Sequence, residues 1–247
     1  VDSFSGRGIT VIKNHNKRLL DTAIKLARKN SATEEYLLEK FVSGELYSHS
    51  AFLKNKRAIK NFFVKEDSTV NSFVVDTSRV IFSPPPEMQR QIINAIEKLA
   101  RYLRLKDGLI HSQFIWDGCN IYLIDRNRRI AGDLYSQLIE LSTGHPYVEN
   151  YVRPFLDMPY KNIEDSDTRI PIMRHTVSVS KEQNFKHISF KESLFLESWV
   201  ALSSAGDRIK ASPDGSVGIL FARAKSQAEL LTLYEATIRR QLYEVVD

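Results

Sequence analysis

A string of alternating polar residues lies where a strand near the middle of the chain is predicted to end. Asp125, Asn127 and Arg129 are spaced two residues apart, and Gln113 stands on the segment predicted to pair with them. Alternate side chains of a strand share one face. Oxygen ligands suited to Mg²⁺ would then lie beside a guanidinium suited to phosphate, the combination that phosphoryl transfer requires. From spacing alone, an exposed polar edge with ordinary salt bridges is an equally good interpretation.

A glycine turn near the start of the chain could surround nucleotide phosphates. Residues 5–8 read Ser5, Gly6, Arg7 and Gly8, and an apolar stretch follows them. Glycines let backbone amides approach an anion closely, which is the physical basis of phosphate-binding loops. Taken singly the motif is weak, and a plain hairpin turn is the more ordinary interpretation.

A third candidate segment reads Glu39, Lys40, Phe41 and Val42 and ends at a Ser-Gly break. As a strand end it could offer backbone groups to an adenine edge, while Glu39 accepts from an exocyclic amine. A solvated Glu-Lys pair at an ordinary strand end is the simpler interpretation of these residues alone.

The hydrophobic pattern predicts the elements that would position these residues. Alternating or continuous apolar runs predict strands, and apolar residues at three- and four-residue spacing predict helices. An Asp-Gly turn at 117–118 predicts a hairpin between two of the strands. The predicted class is α+β with mostly antiparallel sheet. The predicted strands are 9–12, 35–42, 47–53, 60–64, 70–82, 109–116, 121–125, 172–178 and 217–222, and the predicted helices are 15–29, 87–103, 133–142, 147–157 and 226–243.

The composition is that of an ordinary globular protein. The chain has 247 residues, of which 43% are hydrophobic and 26% charged. Its net charge of +5 comes from scattered residues rather than one basic block, so nucleic acid is not an expected partner. No apolar run approaches the length of a membrane span, so a membrane is not expected either. The single cysteine, Cys119, suggests a reducing cytoplasm. Because the chain starts without methionine and enters a turn at once, it is expected to be the N-terminally incomplete part of a longer protein.

In combination, these motifs resemble the ATP-grasp superfamily. The order is a glycine turn, a helix, a Glu-Lys-apolar segment, a long helix and a hairpin with an acid-x-Asn-x-Arg string. It is similar to the carbamoyl-phosphate synthase and biotin carboxylase side of the superfamily, and to its amino-acid and peptide ligases. The resemblance covers roughly residues 1–157. It implies two α+β lobes with mostly antiparallel sheets, plus a C-terminal α/β subdomain, with ATP between the lobes.

The resemblance also implies roles for individual residues. It divides the chain into a partial lid (1–38), a core with the metal-binding hairpin (39–160) and a C-terminal closing subdomain (161–247). Arg129 would be the catalytic residue, and Arg153 or Arg174 could hold a substrate carboxylate. The phosphate loop would be Ser5, Gly6, Arg7 and Gly8; the adenine hinge Glu39, Lys40, Phe41 and Val42; the ribose contact Glu45; and the metal ligands Gln113, Asp125 and Asn127.

The implied function is an ATP- and Mg²⁺-dependent ligase, with Mn²⁺ as a possible substitute ion, that joins a small carboxylate to an amine through an acyl phosphate. A homodimer is compatible with the resemblance. Two departures weaken the metal site: Gln113 and Asp125 stand where the family has glutamate, which predicts weaker binding of the ion. A phosphate-binding lysine of the family would also precede Val1. The alternative function is therefore a degenerate, non-catalytic ATP-grasp domain that binds nucleotide or regulates.

Overall fold

An antiparallel sheet of eight strands organises the chain in the computed structural model, which describes residues 6–13, 16–164 and 168–247. Its strand order is β5-β4-β1-β2-β3-β6-β11-β9, and each recorded neighbouring pair is antiparallel. Two small two-stranded sheets, β7 with β10 and β8 with β12, accompany it. The strands are β1 Glu45–Lys54, β2 Arg57–Asp67, β3 Thr77–Val80, β4 Gly108–Trp116, β5 Ile121–Asn127, β6 Ile172–Val177, β7 Gln183–Asn184, β8 His187–Phe190, β9 Phe195–Ala201, β10 Arg208–Ile209, β11 Gly218–Arg223 and β12 Tyr243–Val246.

Helices cover both faces of the large sheet. Apolar residues of β1, β2 and β4 pack with α2 on one face, and α5 covers β6 and β11 on the same side. Residues of α3 and α4 cover the opposite face. No helix in the described ranges is long and apolar enough to cross a membrane. The helices are α1 Lys17–Lys29, α2 Pro86–Tyr102, α3 Tyr135–Thr143, α4 Tyr147–Val152 and α5 Gln227–Ile238, with a 3-10 turn Arg153–Leu156 after α4.

The predicted hairpin and the long helix are confirmed. In the turn between β4 and β5, the Asp117 carboxylate accepts hydrogen bonds from the backbone of Cys119 and Asn120, at 2.8 and 2.7 Å. Proline at the first helical position starts α2, where the missing amide hydrogen is not needed. The buried Ile92 and Ile96 lie one helical turn apart and face the sheet. These local signals were sufficient because each one acts within a few residues.

Three predicted strands are wrong in whole or in part. Residues 9–12 and 35–42 have no strand structure. The side chains of Leu37 and Leu38 are 70% and 71% exposed, because this segment does not pair with the sheet. Of the predicted strand 70–82, only Thr77–Val80 pairs with its neighbours. The preceding loop is held by the Asp76 carboxylate, which accepts from the Thr69 backbone at 2.9 Å and competes with strand pairing.

The C-terminal part of the chain differs from its prediction in two ways. Helix α5 ends at Ile238, five residues early, and β12 follows it. Five short or edge strands were not predicted, namely β7, β8, β9, β10 and β12. Strands β6, β9 and β11 extend the same sheet as β1 to β5, so the sheet continues across the predicted boundary at residue 160. The three-part division of the chain stays a prediction.

Candidate functional site

A β-bulge in the hairpin sets the direction of Asp125. Gln113 pairs with Asp125, whereas Phe114 pairs with Leu123, so Ile124 is an extra residue on β5. Without this shift, Leu123 and Asp125 would share a face because they are two residues apart. The bulge instead turns Leu123 into the α2 core and places Asp125 beside Gln113 on the other face. The predicted approach of Gln113 and Asp125 is present, although it depends on a bulge that was not predicted.

Asn127 continues on the same face, whereas Arg129 lies in the bend beyond the end of β5. Asn127 pairs with His111, and Asn127 Nδ2 lies 3.5 Å from Asp125 Oδ2. Arg129 follows the end of β5, where its Nη1 donates to the Ile130 carbonyl at 2.9 Å. Burial lowers the pKa of His111 to about 4, while the charge of Asp125 opposes this shift and that of Arg129 adds to it. Both ends of the string are therefore electrostatically close to one buried imidazole.

Six neighbouring strands place one polar residue each along a line across this sheet face, here named the polar row. The pairs Gln113–Asp125 and Ser48–Gln113 are in register, as are Glu66–Ser78 and Ser78–Arg174. Asp125 and Arg174, of opposite charge, stand at its two ends. From β5 to β6 the polar row consists of Asp125, Gln113, Ser48, Glu66, Ser78 and Arg174.

Glu66 is the buried acid of the polar row, with only 4% of its surface exposed. Gln113 Nε2 donates to Glu66 Oε2 at 2.8 Å. Burial raises the pKa of Glu66, and hydrogen bonds from Ser48 and Gln113, together with the positive charge of Arg174, oppose that rise. A buried carboxylate is unfavourable unless it is hydrogen-bonded, so these contacts are what make its position tolerable.

A layer of uncharged hydroxyls and one imidazole lies between the polar row and the helices α3 and α4. Tyr147 Oη donates to Ser50 Oγ at 2.9 Å, and Ser50 Oγ lies 3.0 Å from His111 Nδ1. Tyr135 stands edge-on to His111 and 3.1 Å from Ser48 Oγ. Burial raises the pKa of both Tyr135 and Tyr147, so the tyrosines of this layer carry no charge.

The predicted phosphate loop is a turn, of which Ser5 lies outside the described residues. Gly6 and Gly8 have positive φ angles of 70° and 78°, which glycine adopts without strain. Arg7 forms an ion pair with Asp214. The turn packs against the loop before β3 and the end of α1, since a Cβ on Gly6 would meet Phe73 and one on Gly8 would meet Asn30. The structure thus brings the turn to neighbours other than Gln113, Asp125, Asn127 and Arg129.

The predicted adenine segment lies before β1 as irregular chain. Glu39, Lys40 and Phe41 are exposed and Val42 is half-buried, so the strand expected here is absent from the described chain. Beyond it, a Cβ on Gly44 would lie 2.5 Å from both the Ile115 side chain and the Trp116 carbonyl. This close approach holds the segment against the end of β4. Glu45 begins β1 and accepts a hydrogen bond from Tyr47 Oη at 2.7 Å.

The two arginines suggested for a substrate carboxylate have different surroundings. Arg153 is bound to Glu149 at 2.7 Å and to the Pro159 carbonyl at 2.9 Å, which is a structural arrangement. Arg174 is buried in the polar row, where its two Nη atoms contact Ser78 and Thr176. Its Nε has no hydrogen-bond partner within the described part of the chain. Arg174 is also paired with Asp133 at 3.5 Å, so within the described residues its Nε is what sets it apart from Arg153.

The residues of the string suit a weakly bound hard cation. Carboxylate and amide oxygens are the ligands that Mg²⁺ accepts, usually together with water and substrate phosphates. Asp125 is the one carboxylate among the predicted ligands, and Gln113 and Asn127 contribute neutral oxygens. Within the described residues, no group of three or more His, Cys, Asp or Glu is arranged to hold a metal ion. The chemistry fits Mg²⁺ carried largely by a nucleotide, not an ion held by the protein alone.

Ser48, Glu66 and Ser78 are the members of the polar row that sequence reasoning missed. A signal for Glu66 was present, because Phe62, Val64 and Glu66 alternate along β2 and the first two are buried. An acid in phase with buried apolar residues is unusual and indicates a polar partner across the sheet. Its partner Gln113 comes from a strand that is not adjacent to β2, so spacing along the chain did not reveal the contact.

Comparisons with known proteins agree on the fold. No protein-family model and no curated protein matches the chain. Among solved structures, it is similar to an L-amino acid ligase from Bacillus licheniformis, with a TM-score of 0.71 and 14% identity over 94% of this chain and 61% of that one. It is also similar to phosphoribosylglycinamide synthetase from Anaerococcus prevotii, with a TM-score of 0.66 and 12% identity over 94% and 60% of the two chains.

A third similar structure is the biotin carboxylase domain of 2-oxoglutarate carboxylase from Hydrogenobacter thermophilus, in complex with MgADP, ADP and bicarbonate. Its TM-score is 0.66 and its identity 17%, over 99% of this chain and 56% of that one. The chain therefore spans between 56% and 61% of the length of these three structures. The chain shares the fold of these three structures, which confirms the fold predicted from the resemblance.

Proposed function

We propose that the chain is the nucleotide-binding part of an ATP- and Mg²⁺-dependent ligase that joins a carboxylate to an amine. The observation that carries the proposal is the bulged hairpin, which places Asp125 beside Gln113 with Asn127 on the same face. The ATP-grasp fold supports it, as does the MgADP bound to the similar carboxylase domain. The identity is low in every comparison, so the reaction rests on the residues of this site.

The proposed reaction has two steps. A carboxylate oxygen of the first substrate attacks the γ-phosphorus of ATP, the bond to the bridging oxygen breaks, and ADP leaves. The amine of the second substrate then attacks the acyl carbon, inorganic phosphate leaves, and the amine loses a proton to solvent. Positioning and charge stabilisation are the main contributions a protein makes to such transfers.

Residues of the site have separate roles in this proposal. Asp125 and the amide oxygens of Gln113 and Asn127 would hold Mg²⁺, which when bound neutralises charge on the phosphate oxygens. Arg129 would release its contact with the Ile130 carbonyl and bind the transferred phosphoryl group. Arg174 would bind the carboxylate of a substrate. The turn Gly6–Gly8 would cover the phosphates, and Glu39, Val42 and Glu45 would contact the adenosine.

Calorimetric titration of the chain with ATP, with and without Mg²⁺, tests the proposal. We expect binding that strengthens with Mg²⁺, and weaker binding for Arg129→Ala with little change in thermal stability, because Arg129 is exposed. Arg126→Ala, one position before the end of β5 and also exposed, is the matched control. Release of ADP with mixed carboxylates and amines separates a ligase from a non-catalytic nucleotide-binding domain. Failure of the unaltered chain to bind ATP under either condition contradicts the proposal.

A further inference from the structure

The contact between Gln113 and Glu66 fixes the direction of an amide group. Gln113 presents one donor end, Nε2, and one acceptor end, Oε1, on the same carbon. Its Nε2 is bound to Glu66 Oε2 at 2.8 Å on the β2 side of the site. The nitrogen end of the amide is therefore the end engaged by Glu66. The oxygen end of Gln113 is left available to a partner on the other side of β4, where β5 lies.

Asp125 stands on that side, opposite Gln113 in the register of β4 and β5. If the amide were reversed, its nitrogen would donate to the Asp125 carboxylate and occupy the oxygens that a cation needs. With Glu66 in place, Oε1 of Gln113 and the carboxylate of Asp125 both remain acceptors on one patch. Two acceptors side by side repel each other slightly and are stabilised by a cation between them.

No ion pair at contact distance accounts for the buried position of Glu66 within the described residues. Its carboxylate is buried, and the nearest cations contribute through charge at a distance: Arg174 contacts Ser78 and Thr176, and Lys65 pairs with Asp67. An apolar residue following Phe62 and Val64 on the same face would pack there without the desolvation penalty. Glu66 accepts hydrogen bonds from Ser48 and Gln113, and the bond from Gln113 is the one that links it to the predicted cation ligands.

We infer that Glu66 is a positioning residue for the cation site, which holds Gln113 so that its side-chain oxygen joins Asp125 as an Mg²⁺ ligand. This inference rests on the proposed function, since it assigns a role within the same site. Partners that orient a metal ligand typically change metal affinity by about 10–100-fold when they are removed. With its amide held by Glu66, the neutral Gln113 can act as a metal ligand at a position where the family has glutamate.

Exchanging the two residues tests the inference. The variants are Glu66→Gln, Gln113→Glu and the double exchange, and the measurement is the affinity for ATP as a function of Mg²⁺ concentration. We expect Glu66→Gln to weaken the Mg²⁺-dependent affinity by about tenfold or more, because either amide can then reverse. The double exchange keeps a donor at 66 and an acceptor at 113, and places a carboxylate beside Asp125. We expect it to restore the wild-type dependence or to exceed it.

The control is Glu97→Gln in α2, on the other face of the sheet. Glu97 is also buried, with 8% exposed, and its carboxylate is hydrogen-bonded to the Ala58 backbone. This variant should leave the Mg²⁺ dependence unchanged, and thermal unfolding of all variants separates binding from loss of structure. A Glu66→Gln variant with wild-type dependence, or a double exchange no better than Glu66→Gln, would overturn the inference alone. Failure of the unaltered chain to bind ATP with Mg²⁺ would overturn the proposed function as well.

Discussion

At the scale of single residues, the direction of a side chain decides its chemistry. Asp125 is exposed on the face of the polar row, although its neighbour two positions earlier, Leu123, packs in the α2 core. Glu66 is buried on β2, two strands away from β4, yet it reaches Gln113. In both cases the residue type could be read from the sequence, but the bulge that turns Asp125 and the partner of Glu66 could not.

Replacement of Asp125 by asparagine should separate metal binding from folding. The substitution keeps the size of the side chain and removes the one carboxylate among the predicted ligands. We expect the affinity for ATP with Mg²⁺ to fall at least about tenfold, which is about 1.4 kcal/mol. Unfolding temperature should change little, because Asp125 is exposed. Asp21→Asn, at an exposed position of α1, is the control, and equal effects of the two variants would contradict the assignment.

At the scale of elements, the hairpin is the feature that positions the string. Its β-bulge compensates for a conflict between two requirements. Ile121 and Leu123 must reach the α2 core, while Asp125 must reach the opposite face. A regular strand with a period of two would send all three to the same side. One additional residue, Ile124, changes the phase between them.

Deletions in β5 test how the bulge at Ile124 sets the sheet faces of Leu123, Asp125 and Asn127. Removing Ile124 leaves Leu123 and Asp125 adjacent, so a regular strand still sends them to opposite faces. We expect this variant to fold and to retain Mg²⁺-dependent ATP binding. Removing Arg126, which pairs regularly with Ser112, moves Asn127 to the α2 face and should abolish that dependence. Titration calorimetry and circular dichroism on both variants provide the measurement. A larger loss of Mg²⁺-dependent ATP binding in the Ile124 deletion than in the Arg126 deletion would contradict this explanation.

At the scale of the whole molecule, burial keeps several histidines neutral. Four histidines lie in the interior of the fold. Burial is the largest cause of a lowered pKa in each of them, to about 4 from the ordinary value of 6.5. These are His49, His111, His145 and His175. In the unfolded chain they take up protons at a pH where the folded chain does not.

Stability should therefore fall as the pH is lowered from about 6.5 toward about 4. A group with a depressed folded pKa of this kind stabilises the fold above its unfolded pKa, and loses that contribution as pH decreases. The slope is at most about 1.4 kcal/mol per pH unit for each histidine. Urea unfolding at several pH values measures it. His49→Gln, whose amide can still donate to Asn61, should reduce the slope, whereas His187→Gln at an exposed position should not.

Much of the architecture was predictable because its signals are local. Proline at the start of α2, the Asp-Gly turn of the hairpin and the periodic apolar residues of α1 each act within one or two turns of chain. The segment 35–42 was misread for the opposite reason. Its apolar residues satisfy the pattern of a strand, but a strand forms only where a neighbour pairs with it, and here the sheet supplies none.

The sequence by itself determined which residue types were available: one carboxylate, two amides and an arginine at alternating positions, within a strand-turn-strand pattern. Tertiary structure decided which of them meet. The bulge at Ile124 set the face of Asp125, and the strand order β4-β1-β2 brought Glu66 to Gln113 from 47 positions away in the chain. Contacts of that range depend on sheet order and register, which no window of neighbouring residues contains, and so the orienting acid of the site became visible only in the fold.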